Sequence, residues 1–387
     1  MPVVEKTLKL QFRSARNAVI AALLRNERLS RSELSEITGV SPAAITEVTQ
    51  AFLRRDLLVE LPALTKDRGR GRPTVQLQLQ ASHAYFLGIS VEEWEMPLVL
   101  TDLRGRVLEH QVLPACRTPA ELVNAARKTY SEMLRRSGIP RSRVQGAGIT
   151  VAGIVNAEEG ICRYCAALNW RDVPVAQLIT KALRLPAWVD NDANAVAVGE
   201  KFFGQARDFE HFSSIVLGRT IGSAHFVHGM LYRGHDDSAG EIGHVTIDRK
   251  GALCRCGRNG CLDTVAGGYA LRDAAKASGL TIRNIRDLED LALHGDTVAT
   301  RLLRNAGDAL GLAVASLVHL NNPQCVLFTD MEGFDNGVFR TATRQAIENN
   351  ILARFLGSTQ ILFSDAEPEL LPRSAASIAA FEYLNSI

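Results

Sequence analysis

The sequence predicts an α/β protein in two domains, a small helix-and-hairpin unit followed by a larger domain of two α/β lobes. Three observations predict it. The first eighty residues alternate short amphipathic helices with short strands. Beyond them, two successive sets of strands are joined by helices, the pattern of layered α/β units. Within the second set, Gly240 to Asp263 gathers a histidine and three cysteines among glycines, where a core strand would place neither. A chain of 387 residues exceeds one ordinary domain. With 46% hydrophobic and 22% charged residues it has the composition of a soluble globular protein. No run of about 18 apolar residues is present, so no membrane span is expected. The segment MPVVEKTLKLQF lacks a signal-peptide core and cleavage site, and the expected compartment is the cytoplasm.

In chain order, Arg13 to Arg25 reads as an amphipathic helix through Ala18, Ile20, Ala21 and Leu24. Ser30 caps the next helix, and Glu33 three residues on completes a capping box. Gly39 makes the turn. Ser41 and Pro42 then open a third helix as N-cap and first helical residue. Its apolar face is Ile45, Val48, Phe52 and Leu53; the other face is Ser41, Ala43, Ala44, Thr46, Glu47, Thr49 and Gln50. Short side chains at the start of such a helix let its backbone approach base edges in a major groove. A plain helical hairpin has the same outline, but the segment after it favours DNA. Strands at Leu57–Leu61 and Thr74–Leu79 flank a basic turn, Lys66 to Pro73, so the unit reads as a winged helix-turn-helix. Arg68, Arg70 and Arg72 lie at the wing tip, and Arg70-Gly71-Arg72-Pro73 resembles an AT-hook core that inserts arginines into a narrow minor groove. DNA contacts are expected from Ser41, Ala43, Ala44, Thr46, Glu47 and Gln50 on the helix and from these arginines. The domain boundary is placed at 81/82.

From Tyr85 the chain reads as strands at 85–91, 97–101 and 106–112, a helix at 119–136, strands at 143–150 and 187–189, and a helix from Ala193. A second set of strands begins at 212–217 and 224–227 and ends in a helix at 297–320 and a strand at 324–329. The hinge between the lobes is expected near residue 190. No tandem repeat of sequence is evident.

His244, Cys254, Cys256 and Cys261 are separated by nine, one and four residues. Three thiolates and an imidazole complete a tetrahedral zinc set and leave no position for a catalytic water, so the expected Zn2+ is structural. Glu241 lies beside this loop, so the metal would also fix that carboxylate. Cys162 and Cys165 form an isolated C-x-x-C without a redox context.

The run Gly240-Glu241-Ile242-Gly243-His244, followed by Cys254-x-Cys256-Gly257-x-x-Gly260-Cys261-x-Asp263, resembles the signature of the ROK family of sugar kinases and sugar-responsive repressors. The resemblance extends from about Arg13 to the C-terminus. It implies an actin- and hexokinase-like fold for residues 82–387, with a sugar in the interlobe cleft. It also implies roles for particular residues. Asp192, in Asp190-Asn191-Asp192-Ala193-Asn194, matches the kinase base that faces a sugar hydroxyl. Asn191, Asn169, Gly153, Glu241 and His244 match sugar-contacting positions. Asp263 stands where the family more often has glutamate. The capping of a helix by Asn191 and Asp192 is the simpler alternative for that motif.

The nucleotide motifs of the family's kinases are eroded. In place of D-x-G-x-T the first strand runs Ser90-Val91-Glu92-Glu93-Trp94. In the second phosphate loop, Gly218-Arg219-Thr220-Ile221-Gly222-Ser223-Ala224, two of four glycines are replaced. The late glycine-rich turn is replaced by Phe328-Thr329-Asp330-Met331-Glu332. The expected function is therefore a transcriptional repressor of carbohydrate-metabolism genes without enzyme activity. It would bind a palindromic, A·T-rich double-stranded operator as a homodimer or tetramer, and a sugar or sugar derivative would change lobe closure. A kinase with an added DNA-binding domain is the alternative, and a protein effector is a third.

Overall fold

Two five-stranded sheets of the same strand pattern dominate the computed structural model, which describes residues 15–62, 75–334, 337–365, 367 and 369–387. The basic turn with Arg68, Arg70 and Arg72 lies outside the described residues. Two compact units divide the chain: residues 1–208 with 371–387, and residues 209–370.

The first unit begins with helices α1 (Ala15–Arg25), α2 (Arg31–Thr38) and α3 (Pro42–Arg54). The predicted caps form. Ser30 Oγ accepts the Glu33 N–H while Glu33 accepts the Ser30 N–H, and Ser41 Oγ accepts the Ala44 N–H. Gly39 ends α2 at φ 67°, a left-handed conformation that costs glycine nothing. Strands β1 (Leu29–Ser30), β2 (Leu58–Leu61) and β3 (Gln76–Leu79) make a small sheet in the order β1-β3-β2. The buried face of α1 differs from the one expected: Val19, Ala22 and Leu23 are buried with Ala18 and Ile20, whereas Ala21 and Leu24 are only half-buried.

The larger sheet has the order β11-β7-β4-β5-β6, with β4 (Tyr85–Val91), β5 (Glu95–Asp102), β6 (Val107–Pro114), β7 (Val144–Val151) and β11 (Ala187–Asn191). The β4, β7 and β11 strands are parallel, and β5 and β6 extend the sheet antiparallel. Helix α4 (Pro119–Ser137) covers one face, where Leu122, Ala126, Tyr130 and Met133 join Leu87, Ile89, Ile149 and Val151 in one core. A ribbon of β8 (Ile154–Asn156), β9 (Ile161–Cys165) and β10 (Trp170–Val173) follows β7, and α5 (Val175–Leu183) leads into β11. Helix α6 (Asp192–Phe203) continues directly from β11. Ala193 through Val198 of α6 are buried, and the whole helix belongs to the first compact unit, which ends its first segment at residue 208.

The second unit repeats the pattern as β14-β13-β12-β15-β16, with β12 (Phe212–Leu217), β13 (Ile221–Val227), β14 (Met230–Tyr232), β15 (Cys325–Asp330) and β16 (Gln360–Asp365). Its helices are α7 (Asp263–Ala266), α8 (Gly268–Ala277), α9 (Ile285–Leu293), α10 (Thr297–Asn321) and α11 (Val338–Asn350). The repeat is one of topology, invisible as a sequence repeat.

The last helix, α12 (Leu370–Ser386), returns to the first unit for all but its first residue. It lies on the other face of the larger sheet. A Cβ on Gly148 would stand 1.7 Å from the Ala375 carbonyl oxygen, and one on Gly88 1.8 Å from that of Pro372. Farther along, Ala376, Ala379, Ala380 and Leu384 share a core with Val19 and Leu23 of α1, Phe52 of α3, and Phe86 and Val99. The N-terminal helices are thus packed into the first unit. Because the obstacle is backbone, Gly148→Ala should destabilise the protein by about 3 kcal/mol, at the upper end of overpacking costs. Urea unfolding measures it, and a loss below about 0.5 kcal/mol would show that α12 does not rest on the sheet.

Candidate effector site and metal centre

Three parallel strands of the first unit end in register. Val91 of β4 pairs with Val151 of β7, which pairs with Asn191 of β11. Residues one step further therefore leave the sheet along one carboxyl edge, where open α/β sheets bind ligands. That row is Glu92, Ala152 and Asp192. Asn191 is the N-cap of α6: its Oδ1 accepts the Ala193 N–H at 2.9 Å, and its Nδ2 donates to the Gly153 carbonyl at 3.0 Å. Both ends of its amide are engaged in fixing the edge. Asp192 Oδ1 accepts the Ala193 N–H at 2.8 Å, and the residue is half-buried. Gly153 is required sterically, since a Cβ would stand 2.3 Å from the Tyr164 carbonyl oxygen and 3.1 Å from Cys165 Cα.

Asn169 is exposed in the turn between β9 and β10, in the left-handed region at φ 53°. Its neighbour Trp170 is buried and donates from Nε1 to the Arg117 carbonyl at 2.9 Å. The Arg117 guanidinium lies 5.9 Å from the centre of the exposed Trp94 ring. Sequence reasoning missed Arg117 as the tie between these elements, and no local pattern marks it. In the sequence Cys165 is only half of a C-x-x-C; in the fold it is the wall behind Gly153, and Cys162 is buried too.

In the second unit His244, Cys254, Cys256 and Cys261 converge, with all four ligand atoms within 4.8 Å of one another. Cys254 Sγ is 3.6 Å from His244 Nδ1, and Cys256 Sγ is 3.6 Å from Cys261 Sγ. A tetrahedral zinc with sulfurs at about 2.3 Å would space its ligand atoms by about 3.8 Å, so the donor set and its spacing fit a metal ion. With Nδ1 turned to the thiols, His244 Nε2 lies 3.7 Å from Glu241 Oε2. That is the arrangement in which an outer carboxylate orients a ligating imidazole. Burial pushes the Cys261 thiol up, whereas the backbone N–H of Arg258 holds the Cys256 thiol down. Asp263 is half-buried; its Oδ1 accepts the Ile221 N–H at 2.7 Å, which ties the loop to β13. Burial pushes its carboxyl up to about 6.

The segments that resemble nucleotide loops make local hydrogen bonds and ion pairs of their own. Ser90 Oγ donates to Glu92 Oε1 at 3.0 Å, and the Glu92 N–H donates to Glu95. Gly218 accepts the Gly268 N–H, and Arg219 accepts that of Tyr269. Asp330 Oδ1 takes the N–H groups of Glu332 and Gly333, each at 2.9 Å. Arg272 pairs with Glu332, and Arg340 with Asp330 and Asp365. A cleft of about 320 Å³ remains beside these acids, lined also by Asn284 and Arg286.

On α3, Ser41, Ala43, Thr46, Glu47 and Gln50 are exposed and Ala44 is half-buried, while Ile45, Val48, Thr49 and Phe52 face the core. An exposed, largely polar face of about two turns results.

Paired sheets of one topology with a Cys3His loop define a two-lobed α/β protein of the kinase and regulator type. The sequence pattern of the ROK family matches residues 87–365, and the chain belongs to the ROK family. It is similar to the xylose repressor of Bacillus subtilis (strain 168), 26% identical over 373 residues that cover 95% of each chain. It is also similar to a glucokinase of Thermotoga maritima, 30% identical over 246 residues that cover 60% of this chain and 78% of that one. Among solved structures it matches a ROK family transcriptional regulator, a homologue of the Escherichia coli Mlc protein, with a TM-score of 0.80 and 26% identity over 96% of this chain and 97% of that one.

Proposed function

We propose that this chain is a DNA-binding transcriptional repressor whose operator affinity is set by a sugar or sugar derivative. The observation that carries the proposal is coverage. Similarity to repressors takes in 95% of the chain, N-terminal helices included, whereas similarity to the glucokinase takes in 60%. The N-terminal unit acts as a winged helix-turn-helix, with α3 in the major groove and the basic wing against the backbone or the minor groove. Residues 1–81 form this reader, and the operator has repeated half-sites bound by a homodimer or tetramer. Asp192, Gly153, Asn169 and Asn191 on the first unit, and Glu241, His244 and Asp263 on the second, serve polyol recognition. A buried hydroxyl needs a partner, and a carboxylate makes the stronger one. Ligand and DNA favour different conformations of the chain, so each weakens the other. Phosphate binding is absent because carboxylates stand where a kinase has small residues and free N–H groups. The metal is a structural Zn2+.

Purified protein never exposed to chelator should carry about one equivalent of zinc, and Cys256→Ser should lose it and weaken the sugar response before DNA binding. Metal analysis giving less than about half an equivalent argues against the closed site.

For DNA, the double variant Arg70→Ala/Arg72→Ala should bind operator more weakly and with a shallower salt slope. Thr46→Ala or Gln50→Ala should instead alter base preference. An unchanged affinity and slope in the arginine variant would remove the wing from the interface.

The sugar reading is tested by two assays on one preparation, operator release and coupled ADP production against the same sugars. Wild type should release operator with a sugar and make no ADP. Asp192→Asn should bind operator but not release it. ADP formed at about 1–100 per second and dependent on Asp192 would make the chain a sugar kinase instead.

A further inference from the structure

Resting on the proposal that the chain senses a sugar, we infer that the effector is unphosphorylated at the end that faces Asp192, and that Glu92 and Glu93 enforce this. The register of the sheet supplies the geometry. Glu92 follows Val91, and Asp192 follows Asn191, with Val151 between them in the same row. Neighbouring strands lie about 4.8 Å apart, so the two acidic segments leave one edge about 10 Å from each other. That distance is about one Debye length at ordinary ionic strength, so a phosphate on the hydroxyl beside Asp192 feels all three carboxylates.

Glu92 is held at this edge. Ser90, itself 1% exposed, donates to Glu92 Oε1 at 3.0 Å, and the Glu92 N–H closes the turn on Glu95. The thiol of Cys165, which backs Gly153, is pushed up first by burial, with the carboxylates of Asp192 and Glu93 both adding to the rise. One buried thiol therefore lies within electrostatic reach of both acids. A cation is also near, since Arg117 lies over Trp94. Arg171 pairs across the ribbon with Tyr164 and lies over its ring, on the face opposite the buried Cys165–Trp170 pair.

The consequence is discrimination between two chemical forms of one sugar. A phosphate monoester carries about −1.5 to −2 charge at neutral pH, whereas the parent hydroxyl is neutral and can donate to a carboxylate. The same row of acids attracts one and repels the other.

The test uses the full-length chain and calorimetric titration with D-xylose, D-glucose, N-acetyl-D-glucosamine, D-glucose 6-phosphate and N-acetyl-D-glucosamine 6-phosphate. Wild type should bind at least one free sugar, and both phosphates at least about tenfold more weakly than that sugar. Raising salt from about 0.05 to 0.5 M should narrow the ratio, because screening weakens the repulsion. The double variant E92Q/E93Q should narrow it at low salt, and the salt series on wild type stands even if that variant does not fold. A phosphorylated sugar bound by wild type as tightly as any free sugar overturns the inference and leaves the sugar-sensing proposal standing. So does a ratio that neither salt nor the variant moves. Binding of none of the five removes the sugar-sensing proposal and this inference with it.

Discussion

The backbone of α12 lies directly on β4 and β7 because Gly88 and Gly148 carry no side chains. Much of the first unit depends on that contact. It brings Ala376, Ala379, Ala380 and Leu384 down to the level at which they meet Val19, Leu23 and Phe52. The N-terminal helices and the larger sheet, through Phe86 and Val99, thus share one close-packed core. Close packing makes such a core respond to displacement as a body rather than by local yielding. His83 and Tyr383 tie the same junction by a 2.9 Å hydrogen bond at the start of the larger domain, and Arg16 reaches the carbonyl of Ile387 at 3.1 Å.

At the carboxyl edge of that sheet, polar side chains build the edge through short local hydrogen bonds. Asn191 builds: its amide bridges α6 and Gly153. Glu92 is held by Ser90. Asp192 accepts the Ala193 N–H with Oδ1. Asn191 carries most of this cap, since its Oδ1 takes the N–H groups of both Ala193 and Asn194.

Features that depend on a few consecutive residues were legible in the sequence. Capping boxes, the Ser41-Pro42 helix start and the Cys3His set each follow from side chains that must meet within one turn or loop. The strands of both sheets were largely legible too, because buried parallel strands read as apolar runs. What was not legible depends on distant partners. The position of the division at 208/209 follows from how α6 packs, and the sequence of α6 alone does not reveal it. The β8–β10 ribbon behind Gly153, the tie through Arg117 and the repeated topology of the two sheets are likewise long-range. The arginine wing lies outside the described residues, so it rests on the sequence alone.

The metal loop carries the opposite balance of forces from the α12 contact. Among its described residues, regular structure from His244 to Cys261 amounts to the end of a short 3-10 turn and the isolated bridges Thr246–Cys261 and Leu253–Asn259. Leu253 is 71% exposed and Val245 45%, so burial contributes little to holding it. Ordering a residue costs about 1–2 kcal/mol, so fixing such a stretch costs on the order of 20 kcal/mol. The loop's backbone hydrogen bonds, at about 1 kcal/mol each, offset only part of that. Structural zinc contributes about 10–16 kcal/mol in small domains, which is the right size to make up the difference. Glu241 sits at the rim of this loop, 56% exposed, with the His244 ring 3.7 Å from its carboxylate. A zinc ion held by His244, Cys254, Cys256 and Cys261 would fix the imidazole and, through it, the direction of this carboxylate.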